Sequence, residues 1–174
     1  MAFRYKIKNI PIFKNSFIIE NSSFNDLRGS IFTIFNKEMQ KKLIKKNFDQ
    51  YHDKLMVRKK NTLTGIHGDA KTWKVLTCLH GKILLILVDC DKKSKNFGKY
   101  FKIILNSDNP KSVLISPKIG NSYLCLDKKN IIYYKIFHSG KYNDFDKQFT
   151  YKWNDSKFNI SWPIKNPILS TRDK

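Results

Sequence analysis

A series of short apolar runs along the chain constrains the fold more than any other feature. Runs of four to eight residues rich in Ile, Val, Phe and Tyr are separated by Gly, Asn, Asp, Ser and Pro, as in "WKVLTCL", "KILLILVDC", "SVLISP" and "NIIYYKIF". Runs of this length and composition, bounded by turn residues, are typical of β-strands. Their succession predicts a mostly β protein, a jelly-roll or cupin-like β-barrel with one or two short helices.

One segment has a helical pattern instead. In "NKEMQKKLIKKNF", Asn36 is placed to cap a helix, and Met39, Leu43 and Ile44 share one face. The sequence therefore predicts a short helix packed on the β body.

Two turn motifs follow strand-like runs. "HGK" (80–82) and "LDKKN" (126–130) combine Gly, Asp and Asn with flanking apolar residues. Such turns favour hairpins between neighbouring strands.

The length of 174 residues suits one domain, 1–174, with no repeat or linker. The longest apolar run, "ILLILV" (83–88), is too short to cross a bilayer, and "MAFRYKIKNIPIF" lacks the apolar core of a signal peptide. We therefore expect a cytoplasmic protein with no membrane partner.

The formal net charge is +20. Such a field attracts phosphates, whether on nucleic acid, membrane or a nucleotide-linked small molecule. The lysine pairs are spread along the chain, not gathered in one block, which favours a solvated surface over a dedicated nucleic-acid stripe.

The three cysteines, Cys78, Cys90 and Cys125, each lie in a strand-like run without the paired spacing of a zinc or redox site. We expect them to be reduced core residues.

His67 is the first candidate for chemistry. It lies in "NTLTGIHGDAKTWKV", two residues before Asp69, and the four histidines of the chain include no pair at ligand spacing. This argues against a metal and favours a neutral-pH acid–base catalyst.

Two further positions remain ambiguous from the pattern. Lys74 begins a strand face that is otherwise largely apolar, so it lies either at a pocket mouth or at a solvated strand end. Tyr133 and Tyr134 are adjacent, so they point to opposite faces and only one can face a barrel interior.

Several motifs, in order, resemble the dTDP-4-dehydrorhamnose 3,5-epimerase family, cupin-like jelly-roll enzymes of nucleotide-sugar metabolism. The matching stretches are "NDLRGSIFTIF", "NFDQ", "LTGIH", "KVLTCLHG", "LLILVDCDKKSKNFGKY", "ISP", "YYK", "WND" and "WPIKNPILSTRD". Each motif is weak alone, and their common order carries the resemblance.

The resemblance implies a role for each matched catalytic residue. His67 would be the general base, oriented by Asp173, Lys74 would stabilise an enolate, and Tyr134 would be the acid on the opposite sugar face. No cofactor or metal is implied.

The resemblance also implies binding residues and an assembly. Arg28 and Gln50 would contact the nucleotide diphosphate, across the interface of a homodimer.

The chain departs from the family at pocket positions. Thr64 stands where an arginine is expected to bind phosphate, with Arg58 or a lysine as the candidate replacement, and Asn121 stands where a histidine is expected. The tyrosine pair that follows the catalytic tyrosine falls near Ser139 and Gly140. The form "GIHGDAKTWK" with "GNSYL" is most similar to the branch acting on GDP-linked 4-keto-heptoses in capsule synthesis.

Two alternatives stay open at this point. One is a 3,4-ketoisomerase, which would use the same histidine to move the carbonyl. The other is a non-catalytic basic β-barrel that binds a polyanion.

Overall fold

The computed structural model describes residues 4–142 and 147–174. Most of its regular structure consists of β-strands, with one α-helix, α1 (Lys37–Leu43), and a 3-10 helix at Thr171–Asp173. The strands in chain order are β1 (Tyr5–Asn9), β2 (Phe17–Asn21), β3 (Ser23–Asp26), β4 (Gly29–Phe32), β5 (Gln50–Lys59), β6 (Ile66–Gly68), β7 (Trp73–His80), β8 (Lys82–Asp89), β9 (Tyr100–Asn106), β10 (Lys111–Ile115), β11 (Ile119–Cys125), β12 (Lys129–His138) and β13 (Phe149–Tyr151).

Two antiparallel sheets form the body of the protein. The first has six strands in the order β1-β2-β10-β7-β12-β5, and the second has five in the order β13-β6-β11-β8-β9. A buried apolar layer lies between them, with Leu76 and Ile132 from the first sheet and Leu85 and Leu87 from the second. The predicted mostly β, jelly-roll architecture is confirmed.

Helix α1 covers the outer face of the six-stranded sheet. Asn36 caps its N-terminus: the Asn36 Oδ1 accepts a hydrogen bond from the Met39 amide at 2.9 Å, as the capping pattern predicts. Met39, Leu43 and Ile44 are buried in a cluster that includes Phe137 of β12. Within the described ranges, no helix is long and apolar enough to cross a membrane.

The C-terminal tail covers the outer face of the five-stranded sheet. Phe158, Trp162 and Leu169 pack with Ile86 and other outward-facing residues of that sheet. Backbone hydrogen bonds tie the tail to the segment before β6: the Leu63 amide donates to the Ile168 carbonyl at 2.9 Å, and the Ile168 amide to the Asn61 carbonyl at 2.8 Å. The tail then ends in the 3-10 helix beside β6.

The two predicted hairpins are wrong. The segment 80–82 joins β7 to β8, and 126–130 joins β11 to β12, but in each case the two strands belong to different sheets. The turn residues do reverse the chain, with Gly81 at φ +79°. Both turns form corners between sheets, because each strand finds its hydrogen-bonding partners elsewhere, β8 with β9 and β11.

All three cysteines are free and buried, as expected. Burial raises the pKa of the Cys78 thiol to about 11 and those of Cys90 and Cys125 to about 12. They are therefore protonated core residues at neutral pH.

The corner at Gly81 gives a stability prediction. A Cβ at this position would lie 2.4 Å from the Lys129 carbonyl oxygen, whereas at Gly140, which also has a positive φ, it would meet no described atom within 4 Å. Both Gly→Ala changes incur about 1–2 kcal/mol of left-handed backbone strain. Gly81→Ala adds about 1–3 kcal/mol of steric overlap, so its free energy of unfolding in urea should fall further than that of Gly140→Ala. Equal losses of unfolding free energy in the two variants would contradict the prediction that Gly81→Ala overlaps with its neighbours.

Candidate active site

A cleft of about 240 Å³ lies between the two sheets. β5, β7 and β12 of the six-stranded sheet form one wall, and β6 and β11 of the five-stranded sheet form the other. Its lining residues are Lys54, Met56, Arg58, Thr64, His67, Lys74, Asn121, Tyr123, Tyr134, Ile136, Tyr142, Gln148 and Arg172. It therefore contains most of the residues that the sequence singled out.

His67 and Asp173 form a close pair on one wall. His67 lies on the short strand β6, and its Nε2 is 2.7 Å from Asp173 Oδ1. The Ser170 hydroxyl donates to the other carboxylate oxygen at 2.8 Å. Burial raises the pKa of Asp173, but His67 and Ser170 more than offset this, so the pKa lies below its ordinary value. The carboxylate is therefore ionised at neutral pH and holds the imidazole in place.

Gly65 leaves the space that this pair needs. A Cβ there would lie 2.6 Å from Asp173 Oδ1, 3.0 Å from the Tyr151 carbonyl oxygen and 3.3 Å from His67 Nε2. Close packing, and not backbone conformation, restricts this position to glycine. Glycine two residues before His67 thus has a direct structural reason.

Lys74, Asn121 and Tyr134 form a hydrogen-bonded chain across the cleft. Lys74 Nζ donates to Asn121 Oδ1 at 3.3 Å, and Asn121 Nδ2 donates to the Tyr134 hydroxyl at 2.8 Å. All three residues are buried. Lys74 and Tyr134 belong to the six-stranded sheet, while Asn121 lies directly opposite His67 on the five-stranded sheet.

Burial keeps the phenols of the cleft protonated. It raises the pKa of Tyr134 well above the ordinary value, and the neighbouring Tyr123 raises it further. Burial likewise raises the pKa of Tyr123 to about 12, against a smaller opposing effect of Arg58. Tyr134 therefore carries its proton at neutral pH, as a general acid must.

The structure resolves both ambiguities left by strand alternation. Lys74 is buried in the cleft wall and is not a solvated strand-end lysine. Tyr134 faces the interior, whereas Tyr133 faces outward and donates a hydrogen bond to Asp53 at 2.9 Å.

The predicted binding residues divide into two groups. Arg58, Thr64 and Asn121 line the cleft. The Thr64 hydroxyl also accepts a hydrogen bond from the Tyr123 amide at 3.1 Å. Arg28 is paired with Asp26 in the β3–β4 hairpin at 2.6 Å, and Gln50 begins β5, so neither lines the cleft of its own chain.

Several lining residues were missed by the sequence reasoning. Lys54 and Met56 could have been found, because alternation along β5 places them on the same face as Arg58. Tyr142 lies near the Lys54 ammonium, which is 5.0 Å from its ring centroid. Arg172 directly precedes Asp173 in the tail, but nothing in the sequence showed that its side chain would reach the cleft.

The charge of the cleft suits an anion. Among its described lining residues, Lys54, Arg58, Lys74 and Arg172 carry positive charge and none has a carboxylate. The described ranges contain no group of three His, Cys, Asp or Glu side chains that could hold a metal ion.

The model of the family described as dTDP-4-dehydrorhamnose 3,5-epimerase matches residues 12–174. The chain belongs to this family. It is 28% identical over 160 residues to the dTDP-4-dehydrorhamnose 3,5-epimerase of Salmonella typhimurium, covering 90% of this chain and 86% of that one. Family membership makes the chain an isomerase, a nucleotide-sugar epimerase.

Solved structures agree with the assignment. The dTDP-4-dehydrorhamnose 3,5-epimerase of Elizabethkingia anophelis matches with a TM-score of 0.83 at 26% identity, over 97% of this chain and 93% of that one. The dTDP-6-deoxy-D-glucose-3,5-epimerase of Legionella pneumophila, solved in complex with dTDP-4-keto-L-rhamnose, shares the fold, with a TM-score of 0.88 at 22% identity over 98% and 90% of the chains.

The lowered pKa of Asp173 predicts how the stability of this epimerase depends on pH. A carboxyl group whose pKa falls on folding stabilises the protein at pH values above 3.8, the ordinary pKa of aspartic acid. This contribution disappears as the pH falls through the lowered pKa of the folded protein. Asp173→Asn should therefore lower the free energy of unfolding in urea at about pH 5, and the difference from wild type should shrink at about pH 3. Asp108→Asn, at an exposed position, controls for the change in net charge. A difference that stays constant between the two pH values would contradict the prediction.

Proposed function

We propose that this epimerase inverts C3, or C3 and C5, of a nucleotide-linked 4-keto sugar by metal-independent proton transfer through an enolate. One observation carries the proposal. The His67–Asp173 pair lies on one wall of the cleft, and the protonated Tyr134 lies on the other with Lys74. Inversion at carbon requires a base and an acid on opposite faces of the sugar.

His67 is the base in this mechanism. A proton beside a C4 ketone can be removed when the negative charge that develops on the ketone oxygen is stabilised. Lys74 supplies that charge from the buried wall of the cleft. Asp173 orients the imidazole and stabilises the imidazolium that forms.

Tyr134 delivers the new proton. Its oxygen accepts a hydrogen bond from Asn121 Nδ2, so its own O–H remains available to donate. Protonation of the enolate on this face, opposite to His67, completes the inversion.

Cations in the cleft bind the diphosphate. Thr64 provides no positive charge where the family resemblance leads one to expect an arginine, but Arg58, Lys54 and Arg172 line the same cleft. Guanidinium groups in particular match phosphate oxygens in a bidentate manner.

The finer part of the proposal concerns substrate identity. We propose a GDP-linked 4-keto-heptose, used in capsular polysaccharide or another surface glycan. Asn121 is smaller than the expected histidine, and Ser139 and Gly140 stand near the expected tyrosine pair, which suits a bulkier six-position substituent. The names of the curated relatives specify dTDP sugars, so a test must vary both the nucleotide base and the sugar of the substrate.

Deuterium exchange tests the chemistry. In deuterated water the wild type should incorporate deuterium at C3, and at C5 if both centres react, with inversion. His67→Ala should reduce exchange on the order of 10²- to 10⁴-fold. Tyr134→Phe should retain exchange but lose inversion, because the base still acts while the acid on the other face is gone. Tyr133→Phe, on the outer face, is the matched control and should behave like wild type.

The substrate panel should include dTDP- and GDP-linked 4-keto hexoses and heptoses. The GDP-heptose proposal fails if a dTDP-hexose has the higher kcat/KM. The epimerase proposal fails if none of these compounds exchanges, and a product with the carbonyl moved to C3 would instead indicate a 3,4-ketoisomerase.

We further propose that the active form is a homodimer. β5 is an edge strand of the six-stranded sheet, and its outward-facing Leu55 and Val57 are largely exposed. The separate β3–β4 hairpin also exposes Leu27 and Ile31. Exposed apolar edges of this kind favour pairing with another chain. The same hairpin carries Arg28, which could then reach the partner's cleft.

Substitutions on the exposed face of β5 test the proposed dimer. Leu55→Lys with Val57→Lys should shift the protein from dimer to monomer in sedimentation velocity, because two charges would be buried at the interface. Arg28→Ala should leave the dimer intact and raise KM. Ile104→Lys, at an exposed apolar site on β9 of the other sheet, is the matched control. A monomeric wild type would contradict the proposal.

A further inference from the structure

Thr150 lies beside the proposed base. It occupies the centre of β13, directly opposite His67 of β6 in the antiparallel register. Its Oγ1 is 3.2 Å from His67 Nδ1, the ring nitrogen that does not face Asp173. Cross-strand partners point to the same face of a sheet, so this contact follows directly from the strand pairing.

Arg172 directs the Thr150 hydroxyl. Its Nη2 donates to Thr150 Oγ1 at 2.7 Å, and its Nε donates to the same oxygen at 3.2 Å. A guanidinium group is only a donor, whereas a hydroxyl has two acceptor lone pairs and one proton. With two N–H groups directed at its oxygen, Thr150 has its proton left to donate, and His67 Nδ1 is within reach.

The two neighbours of the imidazole then define its tautomer. The ionised Asp173 carboxylate is only an acceptor, so in the neutral ring Nε2 carries the proton. Nδ1 keeps its lone pair and accepts from Thr150. The nitrogen that remains basic is the one that the Thr150 hydroxyl contacts.

We propose that Thr150, oriented by Arg172, is a positioning residue that holds His67 Nδ1 as the unprotonated, proton-accepting nitrogen. The inference rests on the proposed function, in which His67 is the base, and it extends the dyad to a four-residue arrangement. Substrate displaces the Thr150 O–H from Nδ1 when its own C–H approaches.

The arrangement also affects the protonated ring. Once Nδ1 has taken the substrate proton, it becomes a donor, but the Thr150 oxygen next to it already accepts two N–H groups from Arg172. The imidazolium therefore gains no good acceptor at this position, and the positive guanidinium lies nearby.

A first experiment reads the ring directly, without substrate. Protein labelled with 15N-histidine is observed by NMR at a pH where the His67 ring is neutral. Wild type should show the Nε2–H tautomer with a hydrogen-bonded Nδ1. In Thr150→Val the chemical shift of Nδ1 should move towards that of an imidazole nitrogen that accepts no hydrogen bond, while Thr150→Ser should resemble wild type. Thr33→Val, in the connection between β4 and α1, is the matched control. An unchanged Nδ1 resonance in Thr150→Val would overturn the proposal.

A second experiment uses turnover. Thr150→Val should lower kcat roughly 2- to 10-fold with little change in KM, because the ring is no longer held in the orientation and tautomer that present Nδ1 to the arriving substrate. Thr150→Ser should restore kcat. If Arg172 acts through Thr150, Arg172→Met alone should lower kcat, and adding it to Thr150→Val should lower kcat no further. Any effect of Arg172→Met on KM does not enter this comparison. Additive losses in kcat, or a serine variant as impaired as valine, would overturn the proposal.

The two experiments separate this inference from the proposed function. If no 4-keto sugar is turned over, the epimerase proposal fails, while the NMR comparison still decides whether Thr150 donates to His67.

Discussion

The attachment of the C-terminal tail to the segment before β6 is the interaction on which the site depends. Asn61 and Leu63 hydrogen bond to Ile168 through the backbone, and apolar side chains of the tail pack on the outer face of the five-stranded sheet. Asp173 follows within one short turn. A carboxylate 2.7 Å from an imidazole nitrogen requires this anchoring, because a small displacement of the tail would remove the contact.

The second constraint is the separation of the two sheets. His67 and Tyr134 stand on opposite walls, so the gap between them is set by the buried layer that includes Leu76, Leu85 and Ile132. Protein cores are close-packed and transmit changes of volume. Residues that do not line the cleft therefore control whether the proposed base and acid can reach the two faces of one sugar.

Strand alternation and turn composition were enough to predict the β architecture, but not the connections between strands. Alternation showed that Tyr133 and Tyr134 face opposite ways, and only the resemblance chose between them. The corner at Gly81 was mistaken for a hairpin because a turn sequence does not reveal which sheet the next strand joins. Arg172 and Thr150 were missed because their meeting depends on the path of the tail, which no local pattern encodes.

Thr64 has a consequence for how the pocket can be changed. Its hydroxyl accepts from the Tyr123 amide, and its carbonyl accepts from the Ser122 hydroxyl at 2.6 Å. The position has thus become part of the scaffold that holds β11 beside β6. Introducing an arginine there would add a cation and at the same time remove the partly buried hydroxyl that accepts from the Tyr123 amide. An arginine at position 64 would therefore need a compensating change nearby that accepts from the Tyr123 amide, so the charge of this pocket and the attachment of β11 to the segment before β6 cannot be altered independently.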